Sequence, residues 1–135
     1  NGVAPHAEEL ENKGRKISVG RVASGVARFT FEELCSRPLG ASDYLRIAHA
    51  YRTVFIENIP VMDKPRRNEA KRFINLIDTF YDSGVKVIIS AEAEPTGLYV
   101  APDGTEAFEF DRTVSRLIEM RSEAYLTGEN HQGQS

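Results

Sequence analysis

The sequence predicts an α/β fold: a parallel βαβ unit, an attached antiparallel hairpin and a closing C-terminal helix. Three observations lead there. Residues 53–59 (TVFIENI) are β-branched and aromatic and stop at Pro60, as a strand does. Residues 67–83 repeat Phe73, Ile77 and Phe80 or Tyr81 at helical spacing, and Gly84 offers the left-handed residue that ends a helix. Residues 85–91 (VKVIISA) form a nearly continuous apolar run, the pattern of a strand covered on both faces. Strand, helix and strand joined by short links make a right-handed parallel unit.

The remaining elements follow from local chemistry. Residues 1–14 are polar, carry Gly and Pro, and read as a mobile N-terminal segment. Lys16 to Val19 and Ala27 to Phe31 alternate polar and apolar on either side of Ser24-Gly25, which predicts a hairpin with an exposed edge. Thr30-Phe-Glu-Glu33 has capping-box spacing and opens a short helical turn ending near Cys35. Ser42 is the expected cap of the next helix, with Tyr44, Leu45, Ile47, Ala48 and Tyr51 on or near one face. Pro102-Asp103-Gly104 marks a turn. A last helix from near Asp111 presents Val114, Leu117, Ile118, Arg121 and Tyr125 along one side. Residues 127–135 read as a disordered tail, leaving 15–126 as the ordered lobe.

Composition narrows the function. In 135 residues, 41% are hydrophobic and 27% charged, enough for one modest core. A net charge of −3 gives no reason to expect nucleic acid. No apolar run approaches the roughly 20 residues of a membrane-spanning helix. The single cysteine, Cys35, excludes an intramolecular disulfide and cysteine-built zinc sites, and points to a reducing compartment. The chain opens at Asn1 rather than methionine, which reads as a piece of a longer parent.

Few residues carry recognisable chemistry. Gly20-Arg-Val-Ala-Ser-Gly25 has the glycine spacing of a phosphate loop, but Val26-Ala27 stand where lysine and a hydroxyl are required. The segment reads as a hairpin turn. Val54-Phe-Ile-Glu57 resembles a strand ending in a magnesium-binding acid, a pattern common by chance. Cys35, His49 and Asp43 could supply a nucleophile and base only if brought together. Cys35 lies at an apolar helix end and His49 on a charged face, so a packed thiol and a solvated imidazole are expected, and no metal site. Lys64-Pro-Arg-Arg67, extended by Lys71 and Arg72, reads as a solvated helix start or an anion-binding cluster. Arg112 and Arg116 are four residues apart and share a face; like charges so placed repel unless a carboxylate or an anion sits opposite. Glu109, Asp111 and Glu119 are the nearby carboxylates.

Four stretches in order resemble the ZapE family of AAA+-like P-loop ATPases, which has bacterial cell-division members and mitochondrial relatives. They are Phe29–Cys35 (FTFEELC) followed by Leu39–Leu45 (LGASDYL), Val54–Pro60 (VFIENIP), Arg72–Asp82 (RFINLIDTFYD) and Phe110–Met120 (FDRTVSRLIEM). The resemblance covers about residues 15 to 126. It implies the C-terminal lobe of an ATP-hydrolysing enzyme whose phosphate loop and magnesium-binding acid lie upstream, so ATP and Mg2+ belong to the parent and the isolated chain is inactive. It also implies a sensor of the γ-phosphate at Arg116, an arginine finger or ion pair at Arg72 (with Asp78, Asp82 or a residue of the rest of the parent as acceptor), and a nucleotide contact at Arg112. The partners implied are the rest of the ATPase, a homo-oligomer, and a division or membrane protein. The compartment is the cytoplasm, or the mitochondrial matrix in a eukaryote. A partner-binding module that uses the hairpin at 16–31 is the alternative function.

Overall fold

The computed structural model describes residues 6–100 and 105–126, the side chains of 105–106 and 121–126 excepted. Its elements are β1 (His6–Asn12), β2 (Arg15–Ala23), β3 (Val26–Thr30), α1 (Phe31–Cys35), α2 (Ala41–Ala50), β4 (Thr53–Ile59), β5 (Met62–Asp63), α3 (Arg67–Ser83), β6 (Lys86–Ala91), β7 (Tyr99–Val100) and α4 (Thr105–Leu126). Five strands form one sheet in the order β1-β2-β3-β4-β6, and β5 pairs with β7 in a small second sheet. Strands β1, β2 and β3 run antiparallel in sequence; β3, β4 and β6 are mutually parallel. The α/β class, the parallel βαβ unit, the hairpin and the C-terminal helix are all present.

Two tight turns build the antiparallel half. Lys13 and Gly14 (φ 52° and 80°) join β1 to β2, and Ser24 and Gly25 (φ 53° and 80°) join β2 to β3. Paired positive φ values in a two-residue loop match the twist of a hairpin, and the registers Asn12↔Arg15 and Ala23↔Val26 close both loops. The capping box appears as read: the Thr30 hydroxyl accepts from the Glu33 amide at 3.2 Å, and the Thr30 amide donates to Glu33 at 2.9 Å. Helix α3 spans the expected residues and ends on Gly84 at φ 75°. It buries Phe73, Ile77 and Phe80 against the sheet and its neighbouring helices.

Five expectations require correction. Residues 6–12 of the segment read as mobile form β1. An edge strand with a solvated outer face can be almost wholly polar, and here only Leu10 is buried. Second, the hairpin is not an exposed edge, because β2 lies between β1 and β3, and β3 between β2 and β4. Third, α2 is capped at Gly40, whose amide donates to Asp43 at 2.9 Å; Ser42 instead accepts from Asn12 at 3.0 Å. Fourth, β6 is the other edge of the sheet and is covered on one face only, with Ile88 39% exposed. Fifth, α4 starts at Thr105, six residues before Asp111. The turn at 102–104 and the tail at 127–135 lie outside the described residues. No helix among the described residues is long and apolar enough to cross a membrane.

One carboxylate ties the antiparallel half to the helices. Asp43 is 1% exposed, and it accepts from the Gly40 amide, from Asn12 at 2.9 Å and from Arg15. Burial alone would raise its pKa. The Gly40 and Asn12 donors and the Arg15 guanidinium outweigh that and hold the carboxyl below its ordinary 3.8. A depressed folded pKa contributes stability that is fully present above 3.8 and is lost as pH falls through the folded value. Asp43→Ala should lower the unfolding free energy in urea by about 2–4 kcal/mol, because it orphans three donors. The difference between wild type and Asp43→Asn should shrink on acidification below about pH 4.

Candidate functional site

Helix α3 carries polar contacts on two different faces. Toward α1, the Arg72 guanidinium donates to the Cys35 carbonyl at 2.9 Å, closing one of the carbonyls left open at a helix end. Toward α4, Asp78 receives both C-terminal arginines. Arg116 Nη1 donates to Asp78 Oδ1, and Arg112 Nη2 donates to Oδ2 at 3.3 Å. Arg72 and Asp78 are six residues apart, about 9 Å along a helix and roughly a third of a turn out of phase. The sequence-predicted arginines are therefore not one constellation: Arg112 and Arg116 are together, and Arg72 is elsewhere.

The α3–α4 seam has a second layer. The Arg116 guanidinium lies 4.9 Å from the centroid of the Tyr81 ring, a cation–π distance. The Tyr81 hydroxyl donates to the Glu119 carboxylate at 2.9 Å. Tyr81 follows Asp78 by three positions, and Glu119 follows Arg116 by three, so each pair faces across the seam at helical spacing. Arg116 is held on two sides and is 23% exposed, whereas Arg112 is 58% exposed. The carboxylate that opposes the two arginines is thus Asp78, not Glu109, Asp111 or Glu119. Pairing between two helices leaves no mark in local spacing, which is why the sequence offered Asp78 only as one of several acceptors for Arg72.

The other candidates do not assemble. Cys35 is fully buried; burial and the Glu69 charge push its thiol far above the ordinary range, so no thiolate is available to attack. His49 is exposed near the end of α2, while Asp43 is buried in the first turn of that helix. Glu57 accepts from Arg28, which itself lies 4.2 Å from the centroid of Phe55. Lys64 and Arg66 lie exposed in a one-turn 3-10 segment ahead of α3, where Arg66 pairs with Glu69 at 3.6 Å.

The structure adds a feature that no sequence signal announced. Asn58 has φ 62°, and the β4–β6 register gains one residue on the β4 side between Ile56 and Ile59. This bulge sits at the carboxyl end of the central parallel strand. Glu92 donates its amide to the Ile59 carbonyl and accepts the Val61 amide on its side chain, both at 2.9 Å.

The model of the AFG1-like ATPase family matches residues 2–129. This chain belongs to the AFG1-like ATPase family. It is 35% identical over 156 residues to lactation elevated protein 1 homolog B of Danio rerio, covering 91% of this chain and 31% of that one. It is 35% identical over 133 residues to cell division protein ZapE of Escherichia coli K12, covering 98% of this chain and 35% of that one. An uncharacterized protein of Schizosaccharomyces pombe is 33% identical over 147 residues, covering 90% and 32%. The chain therefore spans about a third of the length of these relatives. No solved structure matches it.

The residues of this AFG1-like chain fit ATP and magnesium only in part. Gly20 to Gly25 are used up in β2 and its hairpin turn. Among the described residues no group of three or more His, Cys, Asp and Glu could hold a metal ion. Arg112 and Arg116 are donors of the type that recognise a terminal phosphate.

A double-mutant cycle measures the seam. Asp78→Ala and Arg116→Ala should couple by about 0.5–2 kcal/mol in urea denaturation. The Asp78–Arg112 pair should couple by less than about 0.5 kcal/mol, because it is longer and more exposed.

Proposed function

We propose that this chain is the C-terminal lobe of an ATP-hydrolysing enzyme of the AFG1-like family, and that it does not hydrolyse ATP by itself. The observation that carries this is the family match over residues 2–129, in a chain whose one phosphate-loop lookalike is a strand and a hairpin turn. Phosphate loop and magnesium-binding acid belong to other parts of the parent, which supplies ATP and Mg2+. By analogy with the Escherichia coli relative, the parent serves cell division or an equivalent membrane-associated process in the cytoplasm; in a eukaryote the mitochondrial matrix takes that place.

Within the lobe, Arg116 is the residue suited to sense the γ-phosphate, with Arg112 beside it. A guanidinium stays charged at any working pH and offers a planar fork of donors. Asp78 holds that fork ready and competes with an incoming phosphate for it. One carboxylate shared by two guanidiniums leaves donors on both arginines unused by Asp78, which a more highly charged anion can engage. Arg72 is committed to the Cys35 carbonyl and serves as a finger only if α1 lets it go.

The test uses the full-length parent and two substitutions that break the same ion pair. Arg116→Ala should leave ATP binding within about threefold and lower turnover by about 10²-fold or more. Asp78→Asn loosens the same seam but keeps the arginine, and should retain most of the turnover. Equal losses in both variants would assign Arg116 to packing alone. Sustained hydrolysis by residues 1–135 would overturn the lobe reading.

A further inference from the structure

Among the described residues, the winding of the sheet leaves one face without helices. Two crossovers, β3 to β4 through α1 and α2, and β4 to β6 through α3, step in the same direction across the sheet. Right-handed crossovers that step the same way put their helices on the same side. Burial agrees. Ala27, Phe29, Val54 and Ile56 point toward the helices and are at most 2% exposed. On the opposite side, Arg28 and Phe55 are only half-buried and Ile88 is exposed. Parallel strands with one face in water are unusual, because parallel sheets occur with both faces covered.

That bare face has a definite shape and sign. Arg21, Arg28, Phe55 and Ile88 stand opposite one another in register and form a row across four strands. A second row runs through Val26, Thr53 and Lys86. The centre is apolar, at Phe55, Ile88 and Val26. Arg28 lies over the Phe55 ring and pairs with Glu57, so Arg21 and Lys86 are the cations that flank these two rows, on a chain of net charge −3. Four strands are about 14 Å across, enough for one helix of about 10 Å diameter over β4 and β6 with its flanks above the basic residues.

We infer that this face is the seat of an amphipathic helix with an acidic flank, supplied by the part of the longer parent that lies outside these 135 residues. The proposal rests on the lobe reading for the source of the helix. The relatives are about three times as long as the span they share with this chain, so most of the family's polypeptide remains to provide it. Apolar positions of the helix cover Ile88 and Val26 beside the Arg28-capped Phe55, and its Asp or Glu residues meet Arg21 and Lys86. Docking there completes the three-layer arrangement that parallel sheets otherwise show.

The experiment measures cysteine accessibility in the full-length parent and in residues 1–135. Each carries one introduced cysteine, Ile88→Cys or Leu45→Cys, in a background where the other cysteines are alanine. Leu45 is exposed on the helical side and serves as the control. Maleimide labelling at Ile88→Cys should be slower by about tenfold or more in the parent than in the shorter chain, with Leu45→Cys alike in both. Equal labelling at Ile88→Cys overturns the proposal. So does protection that already rises with concentration in residues 1–135, which would make the occupant a second copy. So does protection that appears only when another protein is added.

A second measurement needs no substitution. Carbodiimide treatment of the wild-type parent should join Lys86 to an Asp or Glu of a helix outside residues 1–135. Links confined to these residues, or formed only between copies, overturn the proposal. ATPase activity of the same parent separates the two ideas: an active parent with Ile88→Cys freely labelled refutes the docking helix alone. An inactive parent with Ile88→Cys protected refutes the ATPase reading and leaves the docking face standing.

Discussion

The handedness of two crossover connections governs this molecule. Both links among β3, β4 and β6 move the same way across the sheet, and the chirality of L-residues makes such links right-handed. The helices consequently share one layer, in which α3 packs against α1, α2 and α4. Helix α3 is therefore the hub of the contacts made by Arg72, Arg112 and Arg116. Arg72 reaches α1 from one face, and Asp78 with Tyr81 receives α4 on another. The same constraint leaves the opposite side of the sheet without a helix among the described residues, where Phe55 is covered by Arg28 and Ile88 is exposed.

Local signals were legible where the physics is local. The hairpin turn at Ser24-Gly25, the Thr30–Glu33 capping box, the stop at Gly84 and the strand ending at Pro60 all appear where the residue types place them. Each depends on groups within a few positions of one another. Long-range facts were less readable. Leu10 alone marks β1 as ordered, because the strand's remaining positions face water or bond through polar side chains to Tyr51 and Asp43. The run at 85–91 is apolar enough for a doubly covered strand, yet nothing in it reports that it stands at an edge. Composition describes what a strand could bury, whereas topology decides what it does bury.

The candidate site divides along the same line. That Arg112 and Arg116 share a face and need an opposing anion follows from helical spacing alone. Which anion could not be read, since Asp78 is more than thirty positions away in sequence and arrives through the packing of α3 on α4. Cys35 is buried at the end of α1 and His49 is exposed near the end of α2, as their local surroundings in sequence suggested. Asn58 went unnoticed because a single left-handed residue in a strand leaves no composition signature.

In the proposed reading, the arginine pair held by an internal carboxylate awaits a phosphate brought by another part of the parent. Titration of residues 1–135 with a fluorescent ATP analogue in the presence of Mg2+ addresses that dependence most directly. A lobe that contributes arginines but no phosphate cradle gives no saturable signal below about 1 mM, since one or two charge-assisted contacts fall short of the roughly 8 kcal/mol that micromolar binding requires. Saturable micromolar binding by this chain alone would contradict it.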